Sequence, residues 1–120
     1  MTSQKPILVV DDDADIRETV ADVLDHLGYS VITAENGRVA LDLLRAGPPP
    51  ALILLDLMMP DMDGWEFLNE LRASPPFESV PVVILSAMDR ARGPAEAGYL
   101  RKPFDLDDLL AVVERYVQGG

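Results

Sequence analysis

Carboxylate, hydroxyl and ammonium side chains follow the apolar runs of this sequence. Three aspartates, residues 11–13, come directly after one run, and Asp56 follows another. Ser86 ends a third run, and Lys102 comes just after a fourth. Carboxylate oxygens are the ligands that Mg²⁺ prefers. A carboxylate near a cation and a hydroxyl also suits phosphoryl chemistry, because the carboxylate can attack phosphorus while the cations neutralise charge on the phosphoryl oxygens.

The spacing of the apolar residues predicts strands that alternate with helices. Short β-rich runs indicate buried strands, and apolar residues three and four apart indicate amphipathic helices. Alternation favours an α/β fold with a mainly parallel sheet covered on both faces, and five strands favour the flavodoxin-like, doubly wound order 2-1-3-4-5. The predicted strands are 7–10, 29–34, 52–55, 81–85 and 99–101, and the predicted helices are 14–27, 39–44, 65–71 and 106–117.

This strand order would place the candidate residues at one edge of the sheet. Strands one and three would be neighbours about 4.8 Å apart, so Asp11 or Asp12 must lie close to Asp56. Carboxylates gathered in this way raise one another's pKa unless a cation lies among them. The sequence therefore predicts a metal site at this edge, with Ser86 and Lys102 beside it.

The composition limits the classes of function. The chain has 120 residues, no cysteine and a net charge of −11. This length is typical of one domain, and the negative charge argues against binding of nucleic acid, which depends largely on Lys and Arg. No run approaches the roughly 18 apolar residues of a membrane span, and we see no signal peptide, so membrane association is not expected.

Four segments carry a specific resemblance. ILVVDDD, LLDLMMPDMDG, VVILSA and YLRKPF occur in this order, each at the end of a predicted strand. In them the chain resembles the receiver domain of two-component response regulators, from Ile7 to about Val117. The resemblance implies one cytoplasmic receiver domain over residues 1–120, with its core at about 6–118 and no output domain in this chain.

The resemblance also implies partners and activity. The domain would take a phosphoryl group from a sensor histidine kinase or a histidine phosphotransfer protein and change conformation for a downstream target or a second receiver. It would catalyse only its own phosphorylation and dephosphorylation, and so would not be an enzyme in the usual sense. The competing class is a protein-binding receiver module that works without phosphorylation.

By resemblance, Asp56 is the phosphoacceptor and Mg²⁺ is the cofactor. Asp12 and the backbone carbonyl of Met58 would bind the metal together with Asp56. Asp11 would belong to the same metal site and assist through water.

The phosphoryl-binding and switch residues are also implied by resemblance. Ser86 and the adjoining Ala87 would follow the phosphoryl group, and Lys102 would be its cationic partner. Tyr99 would be the aromatic residue whose rotamer reports phosphorylation, and Pro103 would follow a cis peptide bond.

Structural roles compete with some of these assignments. Asp13 is predicted to cap the first helix, because acidic residues are favoured at helix N-termini. An aromatic residue in a short edge strand, such as Tyr99, is often only half-buried packing. We interpret His26 as a surface residue near a helix C-terminus, and Trp65 can be explained by packing alone.

Three other chemistries fit the sequence poorly. A calcium-binding EF-hand loop over Asp61, Asp63 and Glu70 would place its first ligand on Met59, which cannot serve. A haloacid-dehalogenase-like phosphatase would need Thr or Val where Asp15 stands, and the chain is too short for its additional elements. FMN is not expected, because three aspartates after the first strand would repel its phosphate.

The sequence departs from the family between the last two strands. Residues 88–98 are too few for a full helix with two loops, and Gly93-Pro94 interrupts them. We predict a shortened or absent helix there, which puts the usual output surface in doubt. Output would then use another face or the ordering of residues 88–98.

Two methionines bear on the lifetime of a phosphoryl group. Met58 and Met88 lie two residues beyond Asp56 and Ser86, and a thioether orients an attacking water poorly. The sequence therefore predicts slow self-dephosphorylation.

Overall fold

The computed structural model describes residues 5–87 and 98–117. Within them, five strands form a parallel sheet in the order β2-β1-β3-β4-β5, which confirms the predicted order. No helix in these residues is long and apolar enough to cross a membrane. The strands are β1 (Ile7–Val10), β2 (Val31–Ala34), β3 (Leu52–Asp56), β4 (Val82–Ser86) and β5 (Gly98–Arg101), and the helices are α1 (Ala14–His26), α2 (Gly37–Arg45), α3 (Gly64–Arg72) and α4 (Leu106–Val117), with a 3₁₀ helix at Pro75–Phe77.

Both faces of the sheet are buried. Leu8 and Ile53 belong to the core under α2 and α3, whereas the adjacent Ile7 and Leu54 belong to the core under α1 and α4. Successive side chains of a strand point to opposite faces, so a strand covered on both faces needs an unbroken apolar run. This requirement explains why β1 and the apolar part of β3 form continuous apolar segments in the sequence.

Polar side chains fix where the helices begin. Asp13 caps α1 by accepting backbone N–H groups of its first turn, as predicted, and Asn36 does the same for α2. Asp63 and Glu66 form a reciprocal capping box at α3, and Asp105 accepts an N–H at the start of α4. These caps satisfy N–H groups that the helices cannot bond internally.

The predicted boundaries differ from the observed ones by no more than two residues. The second strand was predicted from Tyr29 but begins at Val31. Tyr29 donates its N–H to Leu24 at the end of α1, and Gly28 adopts a φ of 96° just before it. This left-handed turn occupies the residues that the strand was expected to use.

Some predictions concern residues outside this description. The shortened helix was predicted over residues 88–98, of which 88–97 lie outside the described residues and Gly98 begins β5. His26 is exposed, and Trp65 is half-buried against the core under α2 and α3, in agreement with their structural interpretation.

Gly64 allows α3 to begin directly against the end of β3. A Cβ at this position would lie 2.7 Å from Leu57 Cα and 3.0 Å from the Asp56 backbone oxygen. The Gly64 N–H donates to the Leu57 carbonyl at 2.9 Å. Any side chain here would therefore push on the backbone that carries Asp56.

We expect Gly64→Ala to lower the free energy of unfolding by about 2 to 3 kcal/mol, because backbone must move to admit the methyl group. Gly47→Ala is the matched control, since its added Cβ would approach no atom closer than 4.0 Å. Urea unfolding of both variants tests this. Equal midpoints for the two would show that the close approach does not constrain the chain.

Candidate functional site

The carboxyl edge of the sheet brings three carboxylates together. Val10 lies opposite Leu55 in the β1–β3 register, so Asp11 and Asp56 follow as neighbours. Asp11 and Asp56 are buried, whereas Asp12 is exposed. One carboxylate oxygen from each of the three lies within 4.8 Å of the others, so this cluster could hold a metal ion.

Lys102 reaches the same cluster from the end of β5. Its Nζ lies 2.9 Å from Asp11 Oδ2 and 3.6 Å from Asp56 Oδ1. The Lys102 N–H donates to the Ser86 carbonyl at 2.9 Å, which extends the β4–β5 pairing to this residue. The Lys102–Pro103 peptide bond is cis, the conformation that the resemblance implied.

Asp11 uses both carboxylate oxygens within the protein. Oδ1 accepts the N–H of Asp13 at 2.9 Å, and Oδ2 accepts from Lys102. A metal bound directly to Asp11 would have to compete with these two hydrogen bonds. Asp11, Asp12 and Asp56 each still offer one carboxylate oxygen that could ligate a metal ion.

The environment of Asp56 disfavours its negative charge. The pKa of Asp56 is raised from 3.8 to about 7, chiefly by burial and next by the negative charge of Asp11. A hydrogen bond with Asp12 acts in the same direction, whereas Lys102 and the Met58 N–H lower the pKa. The ion pair with Lys102 thus compensates only part of the desolvation, and a divalent cation would relieve the rest.

The remaining predicted residues differ in their burial. Ser86 is buried at the end of β4, one residue beyond the Asp56–Leu85 pair, and Ala87 after it is exposed. Tyr99 lies in β5 and is half-buried against the core under α2 and α3. The Met58 side chain is 64% exposed in the loop after Asp56.

Sequence reasoning missed one residue of the site. Arg17, on α1, donates from Nη1 to the backbone oxygen of Asp11 at 2.8 Å. It comes one turn after the cap residue Asp13, a position from which a side chain can reach back to the β1 end. Its position on that helix was visible in the sequence, but contact with a backbone carbonyl depends on the path of the loop.

The fold and the site define an α/β domain whose parallel sheet carries, at its carboxyl edge, a lysine and a carboxylate cluster that could hold a metal ion. The family model described as "Response regulator receiver domain" matches residues 7–114. The chain belongs to this receiver-domain family, as the resemblance implied.

Curated relatives agree with this family. The chain is 45% identical over 112 residues to the response regulator MprA of Mycolicibacterium vanbaalenii and 44% identical to that of Mycobacterium avium. Each alignment covers 88% of this chain and 47% of the relative. The chain thus spans about half the length of the curated relatives it matches.

Solved structures show the same fold. The chemotaxis protein CheY4 of Vibrio cholerae has a TM-score of 0.84 and 31% identity, and the match covers 95% of this chain and 99% of that one. The receiver domain of a histidine kinase from Syntrophus aciditrophicus has a TM-score of 0.86 and 28% identity, with 96% and 91% covered. The five-stranded fold is therefore that of CheY-like receivers.

The raised pKa of Asp56 predicts a pH-dependent stability. The folded protein holds a proton on Asp56 more tightly than the unfolded chain does. In the absence of metal, the contribution of Asp56 to stability is therefore greatest below pH 4 and is lost as the pH rises through about 7. We expect Asp56→Asn to remove this decline and to be about 2 to 4 kcal/mol more stable relative to wild type at pH 8 than at pH 4.

Urea unfolding at several pH values in EDTA measures this difference. The matched control is Asp61→Asn, which removes an exposed carboxylate from the same loop. Identical pH profiles for wild type and Asp56→Asn would contradict the inferred electrostatic cost of the buried carboxylate.

Proposed function

We propose that this chain is a phosphoacceptor receiver domain in which Asp56 accepts a phosphoryl group from a phosphohistidine. The observation that best supports this proposal is the position of the Asp56 carboxylate at the end of β3. Asp56 Oδ1 lies 3.6 Å from Lys102 Nζ, and the carboxylate belongs to the three-carboxylate cluster. An Asp56 oxygen would attack phosphorus as the P–N bond breaks, and the electron pair would return to the histidine nitrogen of a sensor kinase or phosphotransfer protein.

The donor set fits Mg²⁺ as the cofactor. It is rich in carboxylate oxygens, as hard divalent cations prefer, and the pKa of Asp56 shows that negative charge here is under-compensated. Asp12, Asp56 and the Met58 carbonyl would hold the ion, with Asp11 assisting through water. The ion would neutralise charge on the phosphoryl oxygens.

The other side chains then have separate roles. Lys102 would exchange its bond to Asp11 for one to the phosphoryl group, because that group carries more negative charge. Ser86, with Ala87 beside it, would donate a hydrogen bond to a phosphoryl oxygen, and Tyr99 would change rotamer with it. A downstream target or a second receiver would read the resulting change.

The extent and location of the domain are part of the proposal. We assign residues 1–120 to one receiver domain with its core at about 6–118, working in the cytoplasm. The family match over residues 7–114 supports this extent.

Intact mass after incubation with Mg²⁺ and acetyl phosphate tests the phosphoacceptor. We expect one phosphate adduct on the wild type, lost in EDTA and absent from Asp56→Asn. Asp61→Asn, which removes an exposed carboxylate of the same loop, should keep the adduct. A folded, Mg²⁺-binding wild type with no adduct would instead favour the binding module that works without phosphorylation.

The lifetime of the phosphoryl group tests the role of Met58. Its exposed side chain follows Asp56 closely, and an amide there could orient an attacking water where a thioether does so poorly. We expect Met58→Asn to speed dephosphorylation about tenfold. Met58→Leu is the apolar control, and its dephosphorylation rate should match that of the wild type. Equal rates for all three proteins would show that residue 58 does not determine the lifetime of the phosphoryl group.

A further inference from the structure

The Asp11 carbonyl is held by a side chain instead of by the sheet. The Asp11 N–H still donates to Ala34 in β2 at 3.1 Å, so the amino side of this residue belongs to the strand pairing. Its carbonyl instead accepts from Arg17 Nη1 at 2.8 Å. Arg17 is half-buried on α1 and therefore connects that helix to the end of β1.

This carbonyl belongs to the peptide group that joins Asp11 to Asp12. Peptide groups are planar, so a hydrogen bond that fixes the oxygen also fixes the plane of the group. The plane fixes the N–Cα bond of Asp12, from which its side chain extends. Asp12 itself is exposed, so neighbouring packing restrains it little.

We propose that Arg17 is a positioning residue that orients Asp12 for the metal by fixing the Asp11–Asp12 peptide group. The proposal rests on the proposed function, in which Asp12 is a direct Mg²⁺ ligand. Asp11 is already fixed by Asp13 and Lys102. Arg17 supplies the corresponding restraint for the next residue along the chain.

The charge of Arg17 and its positioning role would change the affinity for Mg²⁺ in opposite directions. A cation beside the cluster repels Mg²⁺, so removing the charge alone would tighten metal binding. Loss of a residue that orients a ligand typically weakens metal binding about 10- to 100-fold. The direction of the change therefore separates the two roles.

Calorimetric Mg²⁺ titration of Arg17→Met and Arg17→Lys makes this comparison. We expect Arg17→Met, which keeps an apolar stem but no donor, to bind Mg²⁺ about tenfold more weakly. Arg17→Lys restores a donor and the charge and should recover most of the affinity. Arg38→Met, which removes an exposed arginine of α2, should bind as the wild type does.

A metal-free measurement accompanies the titration. The backbone amide resonance of Asp12 should shift in Arg17→Met and return toward its wild-type position in Arg17→Lys. Wild-type or tighter Mg²⁺ binding by Arg17→Met would overturn the assignment. If that variant does not fold, Arg17→Gln, whose amide is too short to reach the carbonyl, is interpreted in the same way.

The two proposals fail in different ways. A wild type that binds no Mg²⁺ would contradict the proposed function. An unchanged Asp12 amide resonance in metal-free Arg17→Met would contradict the role of Arg17 alone, whatever the outcome with acetyl phosphate.

Discussion

The ion pair between Lys102 and Asp11 allows a carboxylate to be buried at the carboxyl edge of the sheet. Asp11 has no exposed surface, and its Oδ2 lies 2.9 Å from Lys102 Nζ. A buried carboxylate without a partner would be strongly destabilising, whereas a buried pair roughly offsets its own desolvation. Because Lys102 is engaged with Asp11, it compensates Asp56 only from 3.6 Å. The raised pKa of Asp56 follows first from its burial and then from this distribution of one positive charge over two negative ones.

The parallel topology explains why these groups meet. Asp11 follows β1, Asp56 ends β3 and Lys102 follows β5, so residues separated by 91 positions are joined by one hydrogen bond. Parallel strands place all their carboxyl ends at one edge, where the chain leaves the sheet and polar groups can reach solvent. β1 is apolar throughout and β3 is apolar up to Asp56, because both faces of these strands are covered. The chemistry is therefore confined to the rim by the burial that stabilises the fold.

Sequence patterns predicted the sheet well because its strands are covered on both faces and bounded by acids, glycine or proline. They also predicted that Asp11, Asp12, Asp56 and Lys102 would gather at one edge, since parallel strands place their carboxyl ends there. Sequence patterns did not predict which donor a backbone carbonyl would accept a hydrogen bond from. The bond from Arg17 to Asp11 depends on loop geometry, and the late start of β2 depends on the left-handed turn at Gly28. Neither has a periodic signal in the sequence.

The cost of the charged form of Asp56 can be compared with the free energy that a conformational switch needs. The raised pKa of Asp56, caused by burial and then by the charge of Asp11, corresponds to about 2 to 4 kcal/mol against its charged form at neutral pH. Moving a two-state equilibrium from 1:99 to 99:1 takes about 5.5 kcal/mol. Relief of the charge by a cation would therefore supply only part of the energy of such a switch. In the proposed switch the remainder would come from contacts made in only one state. Lys102, which lies near both Asp11 and Asp56, could supply such contacts by changing partners.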